Sequence, residues 1–119
     1  MKRARVFIPI LLAALALPAI ALAGHPAPGA TYTGTSVKDD HVLLKVSRSG
    51  HQMFIKVVDP CGTTLKGTGL TIGGNGRFDA VSGSGAEVKG SFASRRKATG
   101  TVENKCNKLG KRDFVARRR

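Results

Sequence analysis

The stretch His41-Val42-Leu43-Leu44-Lys45-Val46-Ser47-Arg48-Ser49-Gly50-His51-Gln52-Met53-Phe54-Ile55-Lys56-Val57-Val58 decides the fold class. Successive side chains of a strand point to opposite faces. Val42, Leu44 and Val46 therefore share one face, with Leu43 and Lys45 on the other. Met53, Ile55 and Val57 alternate in the same way with Phe54, Lys56 and Val58. Between the two runs lies Ser47-Arg48-Ser49-Gly50, a tight turn with Gly50 placed for a positive φ. The whole reads as a β-hairpin.

Working outward, short runs rich in β-branched and aromatic residues recur about every eight to twelve residues from Thr31 onward, separated by Gly, Ser, Asn and Asp. No stretch keeps a helical period over three turns. We expect strands near 31–37, 41–47, 52–59, 64–72, 76–81, 86–93, 97–103 and 111–117, with turns at Gly73-Gly74-Asn75-Gly76, Ser82-Gly83-Ser84-Gly85 and Ser94-Arg95-Arg96. Most connections are too short for parallel crossovers. The expectation is an all-β, antiparallel meander of seven to eight strands, closed as a barrel or a two-sheet sandwich. Glycines recur inside these strands, in Tyr32-Thr33-Gly34-Thr35, Lys66-Gly67-Thr68, Lys89-Gly90-Ser91 and Ala98-Thr99-Gly100-Thr101. Bulges, or a close approach beneath an aromatic ring, are the usual reasons. The candidate rings are Tyr32, Phe54, Phe78, Phe92 and Phe114.

Ahead of this domain the chain has the form of an export signal. Met1-Lys2-Arg3-Ala4-Arg5 is a positive start, Val6 to Ala23 is uncharged and mostly apolar, and Ala21-Leu22-Ala23 before Gly24 suits signal peptidase. We expect a signal peptide at 1–23 cleaved after Ala23, a mobile linker at 24–30 and a β-domain at 31–119, with no transmembrane anchor after cleavage. An uncleaved anchor is the competing reading, weakened by two prolines and the good cleavage site. The expected location is secreted, periplasmic or at the cell envelope. There Cys61 and Cys106, the two cysteines of the chain, would pair. Closing a loop of about 45 residues stabilises a fold by roughly 4 kcal/mol in the chain-entropy model. A reactive thiol or a metal pair would need supporting neighbours, and neither cysteine has them in sequence.

The formal charge is +13. Without Lys2, Arg3 and Arg5 it is +10, and residues 95–119 hold ten basic and two acidic groups of that remainder. Such a field attracts polyanions and weakens with salt. The candidates fall in three clusters: Arg95, Arg96 and Lys97; Lys105, Lys108, Lys111 and Arg112; and Arg117, Arg118 and Arg119. A disulfide at Cys106 would pin the second cluster to the sheet and let two of the three share an end of the domain.

In order and spacing these residues fit a larger pattern. Tyr32, Gly34, Thr35 and Ser36 come first, then Cys61, Gly76 with Phe78, Val88-Lys89-Gly90-Ser91-Phe92, Ala98-Thr99-Gly100-Thr101, Cys106, and Phe114-Val115-Ala116-Arg117. The chain thereby resembles small secreted bacterial β-domain proteins of uncharacterised function. In them the closing aromatic is often Trp, where this chain has Phe114. The resemblance implies a disulfide-linked β-fold outside the cytoplasm and brings no activity with it.

Chemistry by spacing is thin. His25, His41 and His51 lack the intervals of a metal site, although His41 and His51 could approach across the hairpin. Asp39-Asp40 and Asp59-Pro60-Cys61-Gly62 read as turns, and Asp79 as the polar face of a strand. There is no Gly-x-Ser-x-Gly around Ser84, no phosphate-cradling glycine loop and no calcium loop. No catalytic residue, metal or cofactor is therefore expected. With one Tyr and no Trp, stacking platforms for sequence-specific nucleic-acid binding or a conventional sugar groove are scarce. The leading expectation is a non-catalytic binding module for anionic envelope polymers or surfaces. A secreted inhibitor or effector of a protein partner is the alternative, and a hydrolase with an unrecognised site ranks behind both.

Overall fold

The computed structural model describes residues 24–83 and 85–119. The expected signal peptide and Ser84 lie outside the described residues. Eight antiparallel strands form one sheet: β1 Thr31–Ser36, β2 His41–Val46, β3 Gln52–Val58, β4 Thr64–Thr71, β5 Arg77–Val81, β6 Glu87–Phe92, β7 Lys97–Asn104 and β8 Gly110–Arg118. Their order across the sheet is β4-β3-β2-β1-β8-β7-β6-β5. Consecutive strands thus meander in two groups of four, and pairing of β1 with β8 joins the groups. The sheet curls into a nearly closed barrel whose seam lies between β4 and β5, consecutive in sequence yet not paired in the ladder. Barrel and sandwich, both open from sequence, resolve into the barrel.

Strand positions follow the period of two. On β2 and β3 the buried residues are Val42, Leu44, Val46, Met53, Ile55 and Val57, the face expected from their alternation. Tyr32 on β1, Phe78 on β5, Val88 and Phe92 on β6, Ala98 and Val102 on β7, and Phe114 and Ala116 on β8 complete one interior cluster. Tyr32 meets Phe92 edge-on with centroids 5.0 Å apart, and Phe78 meets Phe92 at 5.5 Å.

Two of the strand glycines, Gly90 and Gly100, answer to those rings, and the rings sit on neighbouring strands of the same sheet. Phe78, Gly90, Gly100 and Phe114 occupy one rung across β5, β6, β7 and β8. A Cβ at Gly90 would stand 2.6 Å from Phe78 Cζ, and one at Gly100 would stand 2.8 Å from Phe114 Cε2 and strike the Lys89 carbonyl. The two glycines leave the space that the two phenyl rings fill. A single register irregularity, between Met53 and Ile55 against β4, supplies the expected bulge.

Residues 24–30 are corrected from a mobile linker to part of the fold. Ala27 and Ala30 belong to the interior cluster, Gly29 N–H donates to the Ser47 carbonyl at 2.9 Å, and Val46 N–H donates to the Ala30 carbonyl at 2.9 Å. Small side chains are what allow this segment to close one mouth of the barrel.

The disulfide joins Cys61 and Cys106 with Cα atoms 5.9 Å apart, linking the β3–β4 and β7–β8 connections. Gly100→Ala should destabilise the protein by about 1–3 kcal/mol, since the added methyl meets backbone that cannot move aside. A urea melt of the oxidised variant measures this, and an unchanged midpoint would show that the rung is not tightly packed.

Candidate functional site

An up-and-down ring places its connections alternately at two ends. One end carries segment 24–30 and the turns near 47–51, 72–76 and 93–96; the other carries the connections near 37–40, 59–63, 82–86 and 105–109. We call these the upper and lower ends. Lys97 pairs with Arg117 across β7 and β8, and Arg118 N–H donates to the Arg96 carbonyl at 2.8 Å. Arg95, Arg96, Lys97, Arg117, Arg118 and Arg119 therefore gather at the upper end. Two of the three clusters do share an end, but they are the first and third. The disulfide holds Lys105, Lys108 and Lys111 at the opposite end.

The upper end is one-signed. The sequence has seven acidic side chains, and none lies in its turns or in segment 24–30. Lys97 and Arg117 stand directly opposite each other, an arrangement that repels in the absence of an anion. A second such pair, Lys56 and Lys66, lies on β3 and β4. At the upper end the turn bearing Arg95 is held by Tyr32, whose hydroxyl role the sequence did not disclose. The buried Tyr32 hydroxyl donates to the Arg95 carbonyl at 2.6 Å and accepts from Ala27 N–H at 2.9 Å. One phenol thus ties the mouth-closing segment to the cationic turn.

Two hollows open here. A cavity of about 340 Å³ at the upper end is lined by His25, His51, Arg95, Ser49, Ile72 and Gly73, among others. A larger depression of about 870 Å³ begins at the same Gly73 and runs over the outer face of β5, β6 and β7. His51 and His25 both line this cavity, whereas His41 starts β2 at the lower end; the approach of His41 and His51 that the hairpin left open does not occur. On the outer face beyond the depression, Glu87 is raised above its ordinary value, first through a hydrogen bond with Asp79 and then through burial and like charge.

At the lower end Arg112 is corrected from a surface cation to a structural one. It is 1% exposed. Its Nε donates to Asp40 Oδ2 at 3.0 Å and its Nη2 to Asp40 Oδ1 at 2.6 Å, while Nη1 reaches Asn104 Oδ1 at 3.0 Å and the Gly110 carbonyl at 2.7 Å. Ser36 Oγ donates to Asp40 Oδ2 at 2.5 Å. Asn104 Nδ2 passes the network on to Asp59 Oδ2 at 2.8 Å, and Asp59 Oδ1 accepts from the N–H groups of Cys61 and Thr63. Asp59, Cys61 and Cys106 lie close enough to suggest a metal cluster, but both sulfurs are spent in the disulfide. Among the described residues no buried side-chain polar atom lacks a partner, so the network is complete as it stands.

Comparison with family models, with curated proteins and with solved structures returned no match. Among the described residues no helix is long and apolar enough to cross a membrane.

Burial alone would raise the Asp40 carboxyl; hydrogen bonds from Arg112 and Ser36 and the guanidinium charge outweigh it and hold the group below its ordinary 3.8. A depressed acid stabilises the fold above its unfolded value and ceases to do so as pH falls through the folded one. Arg112→Met, which strands a buried carboxylate, should cost about 3–5 kcal/mol at pH 7. Denaturant melts should show that deficit shrinking as pH falls, because without Arg112 burial raises the Asp40 carboxyl and the folded variant protonates it before the parent fold does. A deficit independent of pH would locate the damage in packing instead.

Proposed function

We propose that this protein is a non-catalytic module that binds anionic polymer outside the cytoplasm, using the upper end of the barrel. The observation that carries the reading is the meeting of Arg95, Arg96 and Lys97 with Arg117, Arg118 and Arg119 on a surface without carboxylate side chains. Polyanions bind such surfaces by releasing condensed counterions, and affinity then depends on the number of cations engaged. A rigid barrel suits this mode, because Tyr32 and the β7–β8 ladder set the cations in place before a ligand arrives.

Export supports the same reading. The amino-terminal pattern up to Ala23 has the form of a signal peptide, and a buried network built around a disulfide fits an oxidising compartment. The resemblance to secreted bacterial β-domain proteins points the same way. Asp40, Asp59, Asn104 and Arg112 at the lower end are consumed by one another, and the exposed Lys38, Lys105, Lys108 and Lys111 there share their end with the exposed Asp39, which leaves the upper end as the one without acidic side chains.

The test is a salt titration of binding to a linear polyanion, with oxidised protein. Replacing Arg95, Arg96 and Lys97 with Ser should weaken binding at low salt and reduce the slope of log K against log salt by about 2–3. If affinity and slope stay as they were, the cations are a solvated face and the reading fails. Retention of one protein partner through a high-salt wash would favour the inhibitor or effector reading in its place.

A further inference from the structure

The upper-end cations account for attraction to any polyanion; the depression beside them is more selective. Its floor is a grid made by strand register. Arg77, Ser91 and Thr99 form one rung across β5, β6 and β7, and Asp79, Lys89 and Thr101 form the next. All six line the depression. They point outward because they alternate with Phe78, Gly90 and Gly100, whose rung faces the interior. Neighbouring strands lie about 4.8 Å apart, so each rung offers three polar groups over about 10 Å. Along the seam β5 has a strand partner on one side only, and at its far edge beside the groove Gly73 N–H donates to the Arg77 carbonyl at 2.8 Å.

The composition of this floor discriminates between polyanions. A groove for nucleic acid or polyphosphate would be lined by cations, with aromatic rings for any bases. Here two cations, Arg77 and Lys89, are interspersed with a carboxylate and three hydroxyls. Asp79 would repel a continuous run of phosphates, yet it is a good acceptor for hydroxyl donors. The floor therefore matches a polymer that alternates isolated anionic groups with many hydroxyls. The adjoining cavity, lined by His25, His51 and Arg95, sits past Gly73 where a chain following the groove would bring its next anionic group. Its volume of about 340 Å³ falls within the range of small-ligand sites.

We infer that the ligand of the upper end is an anionic polysaccharide, with its chain along the outer groove of β5, β6 and β7 and one charged sugar in the cavity beside Arg95. This rests on the polyanion-binding reading and narrows it. Recognition here uses hydroxyl contacts and ion pairs and does without aromatic stacking, which accounts for a sugar site in a chain with no Trp.

The experiment compares two probes of equal charge, a short oligouronate and a linear polyphosphate, on oxidised protein at constant ionic strength. The variant is Ser91→Ala with Thr99→Val, two outward positions whose loss leaves the core untouched; a thermal melt checks that. Oligouronate affinity should fall about tenfold in the variant while polyphosphate affinity stays within about twofold, a loss of roughly 1.4 kcal/mol confined to one ligand. Amide shifts of Gly73, Ser91 and Thr99 should move with oligouronate on the parent protein. If both probes bind and the variant alters neither, the groove is not the sugar site, although the polyanion reading stands. If polyphosphate binds and oligouronate does not, the inference is overturned with the same consequence. If neither probe binds at low salt, the polyanion reading itself fails and the inference with it. Should the double variant misfold, Lys89→Gln takes its place in the same comparison.

Discussion

The arrangement rests on the pairing of the first strand with the last. Thr33 lies opposite Arg117 and Gly34 opposite Ala116, and a Cβ at Gly34 would collide with the Val115 carbonyl. β1 and β8 can approach to ladder distance only because nothing stands in that position. From the pairing everything else follows. It joins two four-strand meanders into a ring, leaves the β4 and β5 edges facing each other as the seam, and sorts seven connections between two ends. Without it the chain would offer two open sheets and no enclosed interior.

The two ends then diverge in chemistry. At the lower end part of the charge is internalised: a carboxylate, a guanidinium, an amide and a second carboxylate satisfy one another from Ser36 to Cys61. Such a network contributes definition to the loops more than net stability, since desolvation offsets much of its attraction. At the upper end charge is left outside, and the carboxylates that would neutralise it are elsewhere. A barrel with a buried ion network at one end and cations without acidic side chains at the other is the physical basis of the functional reading. The Tyr32 ring lies in the core against Phe92, and its hydroxyl supports the cationic turn.

The sequence displayed local order well. Alternation along residues 41–58 placed β2 and β3 almost to the residue, and glycine-rich breaks marked the turns, because both signals are carried by neighbours in the chain. The disulfide was legible from the count of cysteines and the compartment. Contacts between distant residues were not. Asp40 and Arg112 are 72 positions apart, and the pair depends on ring closure that no local pattern encodes. The same holds for Tyr32 and the Arg95 carbonyl, separated by 63. Segment 24–30 misled for a different reason: Gly, Pro and Ala read as a loop composition, yet small apolar residues are also what fits a narrow barrel mouth. The groove on β5, β6 and β7 has no motif, being assembled from single polar residues on three strands.

Ring closure by antiparallel strands also has a mechanical side. Thr31 and Arg118 leave the β1–β8 ladder at the same end, with Arg119 N–H bonded to the Thr31 carbonyl as its last rung. Tension applied to that pair loads the rungs one after another, as in a zipper, and not all together in shear. The barrel would yield at low force by peeling β8 from β1. The span of 45 residues between Cys61 and Cys106 would then stay locked, so extension would stop short of the full contour length for as long as the disulfide stayed oxidised.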